Sequence, residues 1–302
     1  MNKAFAAALL ALFGASAAGA QTGHSPRVLT LPPGPRAAAM GGVLPLDGGD
    51  GSALFYNPAL VDSTGGVGVE VDRYSSAATL ARAFGTSSWG GGGVAVGVQA
   101  LGYSVQVPFA SRLPGDEGSL PRHGSFGASE LAATLGYARK VGRFRLGAAA
   151  SLLQQRLEAD EGTGFGVDLG ASSRVGPVVL GLAARNLGPA LEVGGEDVDL
   201  PTLVTLNATL PSKEVGPLDV AAAGAVTRLA NGTVVPGAGV EVGWWPVAGR
   251  TVVGRVGVRR VEREDDSPLT FGGGFVWDRL SVDYAYRGFD AGHVHRIGLT
   301  WR

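Results

Sequence analysis

His293 and His295 stand two residues apart near the end of the chain, a spacing that puts both imidazoles on one face of a strand. A zinc site needs further ligands, and a chain with four His and no Cys offers no third one at suitable spacing. The pair therefore reads as a position at the rim of a sheet. Glu262, Glu264, Asp265 and Asp266 form an acidic run that lacks the spaced oxygen ligands of a calcium loop, and it reads as a solvated turn. Gly90 to Gly93 is not followed by Gly-Lys-Ser/Thr, so it is no phosphate cradle. There is no Gly-x-Ser-x-Gly elbow and no Ser that can be set against a His. The residues thus predict no enzyme, no metal site and no cofactor.

The other charges carry more information because they alternate with apolar residues. Glu70, Asp72, Glu130, Asp168, Asp219, Glu241 and Asp283 fall on the same kind of face as Arg145, Arg185, Arg255, Arg259, Arg287 and Arg296. A selective pore would gather one sign at a constriction. Balanced signs predict ion-pair ladders across an inner wall. The chain as a whole has a net charge of −1 and only 17% charged residues, which leaves no basic surface for nucleic acid. With 50 Gly and no Cys, it departs from an ordinary globular composition toward an apolar, glycine-rich sheet without disulfides.

Such faces have to be built by strands. From Val67 onward the period is two: Val252, Val256 and Val258 oppose Arg255, Gly257 and Arg259, and Leu280, Val282, Tyr284 and Tyr286 oppose Ser281, Asp283 and Arg287. The same holds for Phe165, Val167 and Leu169 against Gly166, Asp168 and Gly170. About fourteen such segments occur, each close to the roughly 9–11 residues that a tilted strand needs to cross a bilayer. Their cores are 66–73, 77–85, 93–104, 128–139, 143–155, 164–173, 177–186, 202–210, 217–228, 233–244, 251–261, 268–276, 279–287 and 293–301. At 77–85 Arg82 shares parity with Leu80 and Phe84, which predicts a bulge. Short turns at 140–142, 174–176, 211–216, 245–250 and 277–278 alternate with longer polar loops at 105–127, 156–163, 187–201, 262–267 and 288–292. Loop 229–232 is short but keeps the parity. Short turns at one rim and long loops at the other are the plan of an outer-membrane barrel. Trp244, Trp245, Trp277 and Trp301 fall at strand ends beside the short turns or the C-terminus, where amphipathic rings prefer to sit.

The fold class expected is therefore all-β, a transmembrane antiparallel barrel of about fourteen strands over 66–302. Residues 1–20 read as a signal peptide, with Lys3 as its positive start, Ala4 to Phe13 as its apolar stretch and Ala18-Gly19-Ala20 as its cleavage site. No later apolar run reaches the roughly 18 residues of a membrane helix. Residues 21–65 form the remaining segment. Ending on a strand with Ile297, Leu299 and Trp301 on one face resembles the assembly signal of outer-membrane proteins, although Arg302 stands where an aromatic is usual.

Within 34–61 the sequence reads Arg36-Ala-Ala-Ala-Met40-Gly41-Gly42, a Gly/Asp-rich bend, then an aromatic and Asn57-Pro58-Ala59. Arg36 to Met40 predicts one helical turn and Leu54 to Leu60 a second, with Asn57 closing an Asx-turn. This stretch resembles the N-terminal segment of the PorV/PorQ family, which is related to FadL-type barrels. The resemblance implies a plug or hatch inside the barrel, carried by Arg36, Met40, Gly41, Gly42, Asn57, Pro58 and Ala59. The match over 34–61 lies closer to PorV than to FadL, so the first expectation is the one the PorV side implies, an accessory role in type IX secretion at the bacterial outer membrane, with secretion components as partners. The FadL side implies passive transport of hydrophobic small molecules through a lateral gap, for which the irregularity at 77–85 is a hint. A structural barrel without transport is the third reading. Outer-membrane lipid is a partner in all three.

Overall fold

In the computed structural model, the described residues are 25–48, 51–63, 65–75, 78–109, 122–157, 160–261, 266–289 and 292–302. The signal peptide expected at 1–20 lies outside them, as do Glu262, Glu264 and Asp265 of the acidic run. Alternating side chains impose two unlike faces on every long strand, and the only way to give one face to lipid with no unpaired edge is a closed sheet.

The sheet does close. Its strands are β1 (Gly66–Tyr74), β2 (Ala78–Trp89), β3 (Gly92–Phe109), β4 (Arg122–Val141), β5 (Phe144–Leu157), β6 (Asp160–Val175) and β7 (Val178–Leu187). After a small separate hairpin, β8 (Leu191–Val193) and β9 (Glu196–Val198), come β10 (Leu203–Val215), β11 (Leu218–Leu229), β12 (Val234–Val247) and β13 (Arg250–Arg259). The last three are β14 (Leu269–Trp277), β15 (Leu280–Phe289) and β16 (Gly292–Trp301). The fourteen strands other than β8 and β9 form one antiparallel barrel in sequence order, sealed where β1 pairs with β16 from Val67↔Trp301 to Tyr74↔Val294.

The outer wall is apolar and exposed: Val67, Val69 and Val71 on β1, Val96 and Val98 on β3, Leu131 and Leu135 on β4, and Ile297 and Leu299 on β16. So much contiguous apolar surface is tolerated only against lipid, and the protein is an outer-membrane barrel. Six hairpins at one rim turn in two residues, at 90–91, 142–143, 176–177, 216–217, 248–249 and 278–279. Each has a residue at positive φ, a glycine in five of them and Asp278 in the sixth. All five Trp of the chain (Trp89, Trp244, Trp245, Trp277 and Trp301) are exposed toward this rim. Arg250 lies 5.1 Å from the ring of Trp277.

Three expectations need correction. Within the segments 105–127 and 156–163 the described residues 105–109, 122–127, 156–157 and 160–163 are strand and not loop, because β3 pairs with β4 out to Phe109↔Arg122 and β5 with β6 out to Leu157↔Asp160. Loss of apolar alternation marks where the lipid ends, while backbone pairing continues into water. At the other rim β10 and β12 likewise continue to their two-residue turns, through register shifts at Leu210/Lys213 and Trp244/Val247. Finally, β2 has no bulge: it pairs without interruption with both neighbours. Leu80, Arg82 and Phe84 all point inward, and the apolar pair meets a filled interior instead of lipid. A register shift does occur between β6 and β7, at Val167/Leu169.

The core lies inside the barrel. Residues 25–48 and 51–63 lie in the lumen as a 3-10 turn Arg27–Leu29, helix α1 (Gly34–Ala39), and two further 3-10 turns, Gly51–Phe55 and Pro58–Ser63. Their side chains cluster with inward residues of the wall: Leu54, Phe55 and Val61 with Phe84, Ala95, Ala138 and Ala149, and Met40 and Val43 with Ala223 and Ala225. The β8–β9 hairpin adds Leu191, Val193 and Val198 to a cluster with Val28, Leu29, Leu80 and Leu101.

Candidate functional site

Small residues in the wall let the inner segment come close. Helix α1 begins on Pro35 at its first turn, which suits a proline without an N–H to satisfy. It ends at Ala39 and is followed by the fully buried Met40, then Gly41 at φ +72° and Gly42 at φ +82°. A Cβ on Gly41 would overlap the Val258 carbonyl oxygen, so both backbone conformation and space require glycine there. The Gly41 N–H donates to Thr270 Oγ1 at 3.0 Å, and that hydroxyl donates to the Ala39 carbonyl at 2.9 Å.

Arg36 leaves α1 toward the wall. Its Nε and Nη2 donate to the two oxygens of Glu241 at 3.0 and 2.9 Å, a bidentate pair, while Nη2 also reaches Asp47 at 3.3 Å. Glu241 accepts at the same time from Arg255 at 2.5 Å, and Arg255 reaches Asp283 at 2.6 Å. A chain of charges thus runs from the lumen segment across β12, β13 and β15.

The second half of the segment is set by Asn57-Pro58-Ala59. Asn57 is buried, its Oδ1 accepts the Ala59 N–H at 3.0 Å, and its Nδ2 donates to the Leu182 carbonyl at 3.4 Å. The turn presses on bare backbone: a Cβ on Gly170 would overlap Asn57 Oδ1, and one on Gly147 would overlap the Pro58 carbonyl group. Tyr56, just before it, accepts from Asn207 Nδ2 at 3.1 Å. Burial raises the Tyr56 hydroxyl above its ordinary range even though Arg185 lies beside it, so the phenol stays neutral.

The remaining inward charges do not form a single ladder. Arg82 and Arg296 both lie 3.2 Å from Asp72, with Glu70 3.7 Å from Arg82. Arg82 also donates to the Pro32 carbonyl at 2.9 Å, which ties this cluster to the inner segment. Glu130 accepts the Val28 N–H at 2.7 Å. Asp168 accepts the Asn186 N–H at 2.6 Å, where β6 and β7 shift register and Asn186 takes φ +58°. Arg185 donates to the Phe55 carbonyl at 2.7 Å. Arg287 sits at the long-loop rim, 3.8 Å from Asp266. Arg259 lies over Gly42, and Arg145 and Asp219 are half-buried toward the short-turn rim. Reasoning from strand parity missed Arg82, read as a bulge, and missed Arg27 and Tyr56 altogether. Inward parity with Glu70 and Asp72 on the neighbouring strand was the signal that identifies Arg82. The His pair faces outward, stacked with tyrosines: Tyr284 Oη and His295 Nδ1 are 2.7 Å apart.

Two cavities flank α1. One of about 400 Å³ opens toward the long loops and is lined by Pro33, Gly41, Gly42, Tyr56, Arg185 and Arg259, among others. The other, about 200 Å³, opens toward the short turns and is lined by Pro35, Arg36, Glu241, Arg255, Asp283 and Thr300, among others. In outer-membrane barrels the long loops are extracellular and the short turns periplasmic, so these are an outer and an inner vestibule.

No protein-family model matches this chain, and no curated protein matches it in sequence. Solved structures do match in fold. The toluene transporter TodX of Pseudomonas putida is 13% identical, with 88% of this chain and 95% of that one covered at a TM-score of 0.55. The toluene transporter TbuX of Ralstonia pickettii is 14% identical, with 89% and 98% covered at 0.59. A FadL homologue of Pseudomonas aeruginosa is 12% identical, with 89% and 98% covered at 0.54. The likeness is one of fold: a closed outer-membrane barrel of FadL-like architecture.

Proposed function

We propose that this barrel is a passive conduit for hydrophobic small molecules, with segment 34–61 as its hatch. One observation carries the reading. The outer and inner vestibules both border the same six-residue helix, the outer one reaching Pro33 and Gly41 at either end of it and the inner one reaching Pro35 and Arg36 in its first turn. An α-helix of that length is only about 9 Å long. Displacing it joins the two spaces. Arg36, Met40, Gly41 and Gly42 hold the helix end against β12, β13 and β14, and Asn57, Pro58 and Ala59 anchor the segment beyond the bend. The Arg36–Glu241 pair is the latch: it is polar and borders the inner vestibule, whereas the apolar contacts of Leu54 and Leu60 hold the rest in place. Compounds carried by the solved neighbours, toluene for TodX and TbuX, belong to the class this reading assigns to the present chain.

A second reading is favoured by a different observation, the completeness of the filling: Met40, Leu44, Leu54 and Leu60 are all fully buried in the lumen. A barrel so tightly plugged suits an accessory of protein secretion of the PorV/PorQ type, or a purely structural barrel, in which the wall and not the lumen is the working surface. Uptake of a hydrophobic fluorophore into liposomes carrying the refolded protein separates the readings, with wild type, Asn57→Ala and a deletion of 34–61 compared. Uptake by wild type that changes in both variants supports the conduit. No uptake by wild type, with leakage only after the deletion, leaves the plugged-barrel reading.

A further inference from the structure

The six two-residue turns of the periplasmic rim differ in charge. Three consecutive hairpins, β2–β3, β4–β5 and β6–β7, hold no Asp or Glu anywhere in 78–109, 131–157 and 169–187. The turn ends of the last two instead carry Arg139, Lys140, Arg143, Arg145 and Arg174. All of these but the half-buried Arg145 are exposed. The other three turns mix signs: Lys213 with Glu214 and Asp219, and Arg250 with Asp278 and Arg279 on the adjoining turn. Depth decides what the basic sector meets. Leu135, Tyr137, Arg139 and Val141 share the outward face of β4, and Leu135 and Val141 are both exposed to lipid. Trp89 stands edge-on to Tyr137 with ring centroids 6.2 Å apart, and Tyr137 Oη donates to the Gly90 carbonyl at 3.4 Å. Amphipathic rings of this kind mark the level of the lipid heads. Arg143 lies 5.1 Å from the ring of Phe144, the residue that pairs with Val141. Two guanidinium groups thus sit beside aromatic rings at headgroup depth.

We infer that this sector of the rim binds the head of an anionic phospholipid of the periplasmic leaflet. Arg139 and Arg143 hold its phosphate, Lys140 and Arg174 add positive charge at the edge, and the acyl chains lie on Leu135 and Leu146 of the wall. Arginine suits the task because its planar fork of donors matches phosphate oxygens, and its stem can lie along apolar wall while the charged end stays at the interface. A cluster of basic residues at a membrane surface attracts anionic heads over neutral ones. An acidic protein arriving from the periplasm would also meet positive charge. It would not account for a guanidinium set between Tyr137 and Val141 on the lipid-facing side of β4. The site lies on the outer wall, so it is independent of whether the lumen conducts or stays closed.

The test uses the full-length protein refolded into vesicles of equal parts phosphatidylglycerol and phosphatidylcholine with matched acyl chains. Extraction into neutral detergent, followed by quantification of the lipid that stays with the protein, reads the preference. Wild type is expected to retain phosphatidylglycerol at least about tenfold over phosphatidylcholine at low salt, and less as salt screens the contact. Arg139→Gln combined with Arg143→Gln should lower that ratio at least about fivefold, roughly the factor that one basic residue contributes at an anionic surface. Should that pair not refold, Lys140→Gln combined with Arg174→Gln decides, with a fall of about the same size expected. Lys213→Gln combined with Arg250→Gln removes the same net charge from the mixed sector and should leave the ratio unchanged. Equal retention of the two lipids by wild type, or an equal fall in the basic-sector and mixed-sector variants, overturns the site. Polyglutamate bound by wild type in detergent, with no preference between the lipids, also overturns it and gives the surface to an acidic protein.

Discussion

Glu241 holds two guanidinium groups at once, Arg36 from the lumen segment and Arg255 from the wall. Its two variants should therefore differ. Arg36→Ala leaves Glu241 paired with Arg255, and the expected loss is about 1.5–3 kcal/mol, the size of a hydrogen-bonded contact to a charge. Glu241→Gln removes the shared acceptor and leaves two arginines facing each other, with a loss nearer the roughly 3–5 kcal/mol of a broken buried pair. Arg36 retains Asp47 and Arg255 retains Asp283, which keeps the second figure toward its lower end. Urea unfolding of the refolded barrel in detergent ranks the two, and a larger loss for Arg36→Ala would count against the shared bridge. At this scale the sequence was partly readable. Parity put Glu241, Arg255 and Asp283 on one face, but partners such as Arg36, more than two hundred positions away, are brought together only by closure.

At the scale of elements, the decisive fit is between the lumen segment and the bare patches of the strands. Gly170→Val should expel the Asn57-Pro58-Ala59 turn, since even a Cβ overlaps Asn57 Oδ1. Gly254→Ala, whose Cβ meets nothing within 4 Å, should be silent. Limited proteolysis of the folded barrel reads the difference as cleavage within 51–63 in the first variant alone. The fourteen strands of the barrel and their membrane-crossing cores were legible, because lipid on one side and a filled lumen on the other enforce a period of two. Their extensions beyond the membrane were not, since a polar hairpin such as Leu157–Asp160 pairs without apolar alternation. The register shift between β6 and β7 had no local signal either: it follows from Asn186 turning to φ +58° so that its N–H can meet Asp168.

For the molecule as a whole, the outer wall makes the strongest quantitative claim. Val256 faces outward between Val240 and Phe271, near the middle of β13. Val256→Arg should cost about 2–4 kcal/mol in a bilayer, the depth-dependent penalty of a lipid-facing charge. Unfolding from lipid vesicles should show that loss, and a neutral result would mean that this face is covered by protein and not by lipid. The seam between β1 and β16 carries a consequence for the order of biogenesis. The ring is sealed where β16, the last strand of the barrel, meets β1, and the lumen segment is tethered to β1. The expected order is a sheet that curls around a lumen segment already in position, like a stave vessel built around its contents. A barrel refolded without residues 25–63 should then fail to recover them when the same segment is added as a free peptide, whereas co-refolding of the two pieces should restore protease resistance.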